Sequence, residues 1–287
     1  MAWRRYWRNG LPGSARSERG RYPYLDTPAG PSGRPRPLAF SHRGFAPEGG
    51  ENTLASFGRA VDLGFGYLEI DVRASRDGVV MVFHDEELHR VTGTPGLVSA
   101  RTAEELGGLQ VGGGGGIPTL EDVLRRWPGL RLNIDVKSDD CVQPFADLVN
   151  RMAVHDRVLL ASFSDRRRRR VLRLLDAPTA SSAGMAVNAL LKLLAPSGLA
   201  APLARIAGVQ ALQVPETYRG VRVVTGRFVE ACHAAGLQVH VWTINDREDM
   251  DRLLDLGVDG LVSDAADVLA ACMTARSAWP QGSSLDR

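Results

Sequence analysis

From residue 38 to about residue 262, short β-branched apolar runs alternate with helical patterns, and that alternation leaves few architectures open. The strand-like runs are Leu38–Ser41, Tyr67–Val72, Val79–Phe83, Leu130–Val136, Val158–Ala161, Ala180–Gly184, Ala211–Val214, Gln238–Trp242 and Gly260–Val262. Helical patterns such as Thr53–Leu63, Leu120–Arg126, Arg227–Ala235 and Arg247–Leu256 fall between most of them. Asp77-Gly78 is a hairpin turn, so Val79–Phe83 folds back as an extension of the second strand. Setting that extension aside leaves eight βα units, which predicts an α/β fold, a (β/α)8 TIM barrel. A chain of 287 residues is long enough to bury one such core.

The barrel is expected over residues 38–275, with an Arg/Pro/Gly-rich tail at 1–37 and a short tail at 276–287. The N-terminal tail has no hydrophobic period and reads as irregular or loosely packed on the body. Trp3, Tyr6 and Trp7 among its arginines also fit peripheral contact with an anionic lipid surface. The tail holds eight arginines against Glu18 and Asp26, so the remainder, 27 basic against 31 acidic residues, is no generic polyanion binder. Nucleic acid is not an expected partner, because Arg166–Arg170 cannot lie on one side of a helix and lacks stacking aromatics. Cys141, Cys232 and Cys272 are far apart and without metal-type spacing, which predicts reduced, structural cysteines. With no apolar leader and no long apolar run, the expectation is a cytoplasmic protein, peripheral at a membrane if the tail binds lipid. Oligomeric state is not legible.

Chemistry-bearing residues gather at the ends of the early strands. Glu69 and Asp71 share one strand face, as do Asp135 and Lys137, because side chains alternate across a strand. Inward-facing carboxylates repel unless a cation neutralises them, and oxygen-only ligands select Mg²⁺ or Ca²⁺ over zinc. Ordinary salt bridges at the strand ends are the competing reading. His42 and His84 end strands at the face where barrels carry active sites, flanked by Arg43 and Asp85, and look like a general acid and base. Arg43 can hold phosphate oxygens by a bidentate contact, and Lys137 can stabilise charge on a non-bridging oxygen. Lysine occurs only at Lys137 and Lys192, while arginine occurs 33 times, so an ammonium is expected to matter where it survives. His89, His155 and His233 read as surface residues and His240 as core. The glycine run 112–116 reads as a flexible loop before Thr119, a helix cap. Met185–Ala207 reads as core helix, or as a rim touching lipid-like substrate.

Across residues 38–270 these motifs resemble the glycerophosphodiester phosphodiesterase family of TIM-barrel enzymes. The resemblance rests on His42-Arg43-Gly44 with Pro47 and Glu51-Asn52-Thr53, on Glu69-Ile70-Asp71, and on His84-Asp85 with Leu88, Arg90 and Thr92. It continues through Ile117–Leu120, Asn133–Lys137, Val241–Asn245 and Gly257–Asp264. It implies hydrolysis of small-molecule glycerophosphodiesters to sn-glycerol 3-phosphate and an alcohol, with one divalent cation, Mg²⁺ or Ca²⁺. It implies His42 and His84 as the acid–base pair and Arg43 and Lys137 on the phosphate. Glu69, Asp71 and Asp135 would be metal ligands with Glu51 close by, and Trp242 would lie against the glycerol. Asp135 stands where the family usually has glutamate, one methylene longer. The loop Asp85–Gly116 is short, so any cap over the site must be small.

Two other functions fit the same residues: a lysophospholipid-specific phosphodiesterase at a membrane, and a barrel that binds phosphodiesters without turnover.

Overall fold

The structure, a computed structural model, describes residues 22–27, 35–194 and 197–281. Trp3, Tyr6 and Trp7, and with them the expected lipid contact, lie outside the described residues. Its strands are β1 (Leu38–His42), β2 (Tyr67–Ala74), β3 (Val80–Val82), β4 (Arg131–Val136), β5 (Val158–Ala161), β6 (Ala180–Ser181), β7 (Ala211–Pro215), β8 (Thr217–Tyr218), β9 (Val221–Arg222), β10 (Gln238–Trp242) and β11 (Gly260–Ser263). Eight of them run parallel in the order β6-β5-β4-β2-β1-β11-β10-β7. The seam between β6 and β7 is closed by the bridge Ser182–Ala211 and by Gln210 N–H donating to Ser181 O at 2.9 Å. β3 pairs antiparallel with β2, as the Asp77-Gly78 turn requires.

The strands sort their side chains by the period of two. Leu68, Ile70 and Val72 of β2, with Leu132 and Ile134 of β4, point outward into the layer beneath the helices and are buried. Each such side chain stabilises the fold by about 1.5–3 kcal/mol on the transfer scale. The alternate residues Leu38, Phe40, Tyr67, Leu159 and Val262 fill the lower barrel interior. Helix starts are written locally. Thr53, Thr102 and Thr119 each cap a helix through a reciprocal bond with Ser56, Glu105 or Asp122 three residues on.

Several expectations change. The N-terminal segment is not merely loose where it is described: Tyr24 is fully buried under the barrel, edge-on to Tyr67 at 5.5 Å. Gln238 Nε2 donates to Leu25 O, and Arg131 donates to Tyr24 O and Asp26 O, fixing that segment to the barrel floor. The start of the expected C-terminal tail is also built in, with Trp279 packed on Phe65 and Gln281 bonded to Ala39 N and Pro37 O. The glycine run is close-packed at Gly112, Gly114 and Gly116, while Gly113 and Gly115 stand open. A Cβ on Gly114 would meet Thr53 Oγ1 at 2.6 Å and Gly50 Cα at 3.1 Å, so the run braces the loop after β1.

Arg168 is buried within the arginine run, its guanidinium donating to Ala207 O and Gly208 O at the end of the helix Ala200–Ala207 and to Ser181 Oγ. His155 and His233 are half-buried and paired with Asp176 and Asp259. His240 lies in the core as expected, and the three cysteines are free and buried. The excursion after β3 carries its own small core of Met81, Phe83, Leu88, Val98, Leu106, Val111 and Ile117. Met185–Ala207 splits into the helices Met185–Leu194 and Ala200–Ala207, which bury Val187 and Leu191 but leave Leu193 and Ile206 exposed. Among the described residues no helix is long and apolar enough to cross a membrane.

Candidate active site

Strand register assembles the expected residues at the C-terminal mouth of the barrel. His42 pairs with Glu69, and Asp71 with Asp135, on neighbouring parallel strands. The chain then turns sharply after β1. Arg43 takes a left-handed φ of 55°, its N–H donating to Glu69 O and its carbonyl accepting from Asn52 N–H. Asn52 is left-handed as well, φ 56°, a conformation asparagine tolerates better than most residues. The two strained residues are thereby pinned against each other beside the carboxylates.

The cations and carboxylates form one connected set. Lys137 Nζ lies 2.9 Å from Asp71 Oδ1 and 2.7 Å from Asp135 Oδ2, and Arg43 Nε lies 3.0 Å from Asp71 Oδ2. Asn52 Nδ2 also donates to Asp71 Oδ2 at 3.1 Å. Burial opposes ionisation of Asp71, but Lys137 and Arg43 overcome it and hold its pKa below the usual range. Glu69 is offset more weakly, its Oε2 lying 3.6 Å from His42 Nε2. Burial, reinforced by the charge of Asp71, pushes it up to about 7. Asp135 is likewise raised, chiefly by burial. Burial works against the Lys137 ammonium, yet Asp71 and Asp135 keep its pKa raised.

Each catalytic candidate histidine is oriented by a carboxylate. His42 Nδ1 lies 2.6 Å from Asp264 Oδ1, and its Nε2 is 3.6 Å from Glu69 Oε2. Burial disfavours the His42 cation, but Asp264 and Glu69 outweigh it and raise the pKa. Asp264 is set by Asn245, which donates to its Oδ2 and accepts from its backbone N–H. His84 Nδ1 lies 2.5 Å from Asp85 Oδ1, and Asp85 is paired with Arg90. Arg90 continues to Glu51 at 2.7 Å, and Glu51 to Arg43 at 2.8 Å.

Not every expected ligand presents itself as one. Glu51, expected close to the metal, has both its oxygens engaged by Arg43 and Arg90, whose guanidiniums flank it on either side. Both oxygens of Asp71 are engaged too. Among the described residues no three His, Cys, Asp or Glu side chains stand as a ready-made metal cage. Among the described residues, the buried oxygens left without a hydrogen-bond partner include Asn52 Oδ1, Glu69 Oε2, Asn133 Oδ1 and Asp135 Oδ1. Such orphans are costly in a dry site, and hard oxygens are what Mg²⁺ or Ca²⁺ takes. Trp242 ends β10 and faces Phe163 at 6.0 Å.

Asp264 and Asn52 were not assigned roles from sequence. A carboxylate directly after the last strand was the available signal for Asp264. For Asn52 only its place between Glu51 and the cap Thr53 hinted at a site.

The Glycerophosphoryl diester phosphodiesterase family model matches residues 42–268 of the chain. A probable glycerophosphodiester phosphodiesterase of Mycobacterium tuberculosis is 42% identical over 246 residues, 84% of this chain and 92% of that protein. A glycerophosphodiester phosphodiesterase of Caldanaerobacter subterraneus is 30% identical, covering 81% of this chain and 96% of its own. The structure also resembles an Oleispira antarctica phosphodiesterase solved with its product sn-glycerol-3-phosphate, with a TM-score of 0.69 at 25% identity over 83% of this chain and 97% of that one.

Proposed function

The chain belongs to the glycerophosphoryl diester phosphodiesterase family, and on that footing we propose that it hydrolyses glycerophosphodiesters to sn-glycerol 3-phosphate and an alcohol by a two-histidine, metal-assisted mechanism. The observation that carries this reading is the pairing of His42 with Asp264 and of His84 with Asp85 at the mouth where Arg43 and Lys137 meet on Asp71. A carboxylate on Nδ1 leaves Nε2 of each ring to take or give a proton. One histidine removes the proton from the attacking oxygen, either water or the substrate's own 2-hydroxyl. The other protonates the departing alcohol. Arg43 and Lys137 hold the non-bridging oxygens and oppose the charge that grows on them.

Glu69, Asp71 and Asp135, with Asn52 beside them, would hold one divalent cation, Mg²⁺ or Ca²⁺. The orphaned oxygens of Asn52, Glu69 and Asp135 fit such an ion. When bound it would supply further stabilisation of phosphoryl charge. Trp242 would lie against the glycerol.

The test is release of glycerol 3-phosphate from glycerophosphocholine by the purified protein with Mg²⁺, with Ca²⁺ and with chelator. Metal-dependent release, lost in His42→Ala and in His84→Ala, is the expected result. Release that persists in chelator, or in either histidine variant, overturns the mechanism.

A further inference from the structure

Arg90 stands one side chain removed from two parts of the site at once. Its Nε donates to Asp85 Oδ2, and the other oxygen of that carboxylate lies 2.5 Å from His84 Nδ1. Its Nη2 and Nη1 donate to Glu51 Oε1 and Oε2 at 2.7 and 3.2 Å. Glu51 Oε1 also accepts from Arg43 Nη1 at 2.8 Å. One guanidinium therefore spans the carboxylate on a histidine and the carboxylate on the phosphate clamp, with a different nitrogen for each oxygen it meets.

The excursion after β3 supplies this residue and steadies it. Arg90 lies in the short helix His89–Thr92. Leu88, just before it, is buried in the excursion's own core, its N–H donates to Gly96 O, and its carbonyl accepts from Thr92 Oγ1. Val91 O accepts from Gly112 N–H, and Gly112 and Gly114 pack on Gly50, the neighbour of Glu51. The same segment thus fixes Arg90 and the backbone beside the carboxylate that Arg90 grips.

The Arg90 side chain is about half exposed, and exposed ion pairs add little to stability. What directed bonds at several nitrogens supply is orientation. Asp85, held at Oδ2, keeps Oδ1 on Nδ1 and so sets the ring and tautomer of His84. Glu51, shared with Arg90, competes less with phosphate for Arg43.

We propose that Arg90 is a positioning residue for both the proton transfer and the phosphate hold, setting His84 through Asp85 and Arg43 through Glu51. The inference rests on the roles given above to His84 and Arg43, and it places Arg90 itself away from the reacting atoms.

The experiment is steady-state hydrolysis of glycerophosphocholine with divalent cation by Arg90→Met and Arg90→Lys, and by Arg90→Met combined with Asp85→Asn or with Glu51→Gln. Arg90→Met is expected to lose about tenfold to a hundredfold in kcat and to raise KM, with the thermal midpoint little changed. Arg90→Lys keeps the charge but replaces a fork with a single nitrogen, and it recovers only part of the loss. With Asp85→Asn already present, Arg90→Met lowers kcat no further, and with Glu51→Gln present it raises KM no further. Effects that multiply in either pair overturn the arm through that carboxylate. A wild-type kcat and KM in Arg90→Met, or full recovery in Arg90→Lys, overturns the whole proposal and leaves the phosphodiesterase reading standing. If the wild-type protein turns over no diester, that reading fails, and Arg90 is decided by the nitrogen spectrum of histidine-labelled protein at constant pH, with His84 assigned through His84→Ala. Loss of the fixed His84 tautomer in Arg90→Met supports the positioning role. An unchanged His84 signal overturns it.

Discussion

Asp264 holds His42 across the first and last strands of the barrel, Oδ1 to Nδ1 at 2.6 Å, although 222 residues separate them in sequence. Parallel pairing of β1 with β11 sets Ser41 opposite Ser263, so the residue following each strand position arrives at the same mouth. Asp264→Asn keeps the shape but offers an amide that can present its NH₂ to Nδ1 and select the wrong tautomer. The expected outcome is a fall in kcat of about a hundredfold or more, with KM and the thermal midpoint little changed, read by steady-state kinetics and calorimetry. A wild-type kcat in Asp264→Asn shows that His42 does not depend on that contact.

Lys137 is one of only two lysines in a chain with 33 arginines, and its ammonium fits between Asp71 and Asp135 at 2.9 and 2.7 Å. A guanidinium is planar and longer, and cannot place one nitrogen between both carboxylates while another reaches substrate. Lys137→Arg is expected to retain the fold and lose about a hundredfold or more in kcat/KM. Near-normal activity in that variant would mean that charge alone, not the shape of the ammonium, is required.

The orphaned oxygens of Glu69 and Asp135 make a prediction that needs no turnover. An ion bound there relieves buried carboxylate repulsion only in the folded state, so it must raise stability by linkage. At a hundred times its dissociation constant, Mg²⁺ or Ca²⁺ is expected to add about 2.7 kcal/mol, seen as a rise of several degrees in the thermal midpoint that chelator reverses. Glu69→Gln should abolish the rise. An equal rise in Glu69→Gln would place the ion elsewhere.

How much of this was legible in the sequence follows the range of the forces involved. Strand alternation is local, so the pairing of Glu69 with Asp71 and of Asp135 with Lys137 on one face could be read directly. The contact between His42 and Asp264 depends on which strands become neighbours, and no local pattern carries it. Arg168 looked like one of five solvated arginines because the carbonyls that bury it belong to residues 207 and 208. The glycine run resembled a linker because its packing partner, Gly50, lies more than 60 residues away. Tyr24 was hidden in a composition that elsewhere means disorder.

Tyr24 separates packing from polarity cleanly. Its ring is fully buried against Tyr67, while its hydroxyl is buried without a hydrogen-bond partner. Tyr24→Ala is expected to cost about 3 kcal/mol, a drop of roughly 5–10 °C in midpoint, with kcat unchanged well below that temperature. Tyr24→Phe removes only the orphaned hydroxyl and should be neutral or slightly stabilising. A Tyr24→Ala midpoint equal to wild type would show that the segment does not close the barrel floor.

His240 sets an acid limit on the barrel. It is fully buried on β10 beside Phe40, with Nε2 at 3.0 Å from Gln238 Oε1 and Nδ1 without a partner. Burial pulls its pKa from the ordinary 6.5 down to about 4, and the nearby charge of Asp259 only partly opposes this. Between pH 6.5 and 4 the folded protein therefore holds this ring neutral while the unfolded chain protonates it. Unfolding takes up a proton in that window, so stability is fully present above 6.5 and is lost progressively as the pH falls toward 4. The loss amounts to about 3 kcal/mol at 1.36 kcal/mol per unit. His240→Leu retains most of the volume and cannot titrate, so its stability should decline less steeply across the same window. Denaturant unfolding of both proteins at several pH values between 4 and 7 checks this. Parallel curves would mean that other groups, not His240, govern the acid limb.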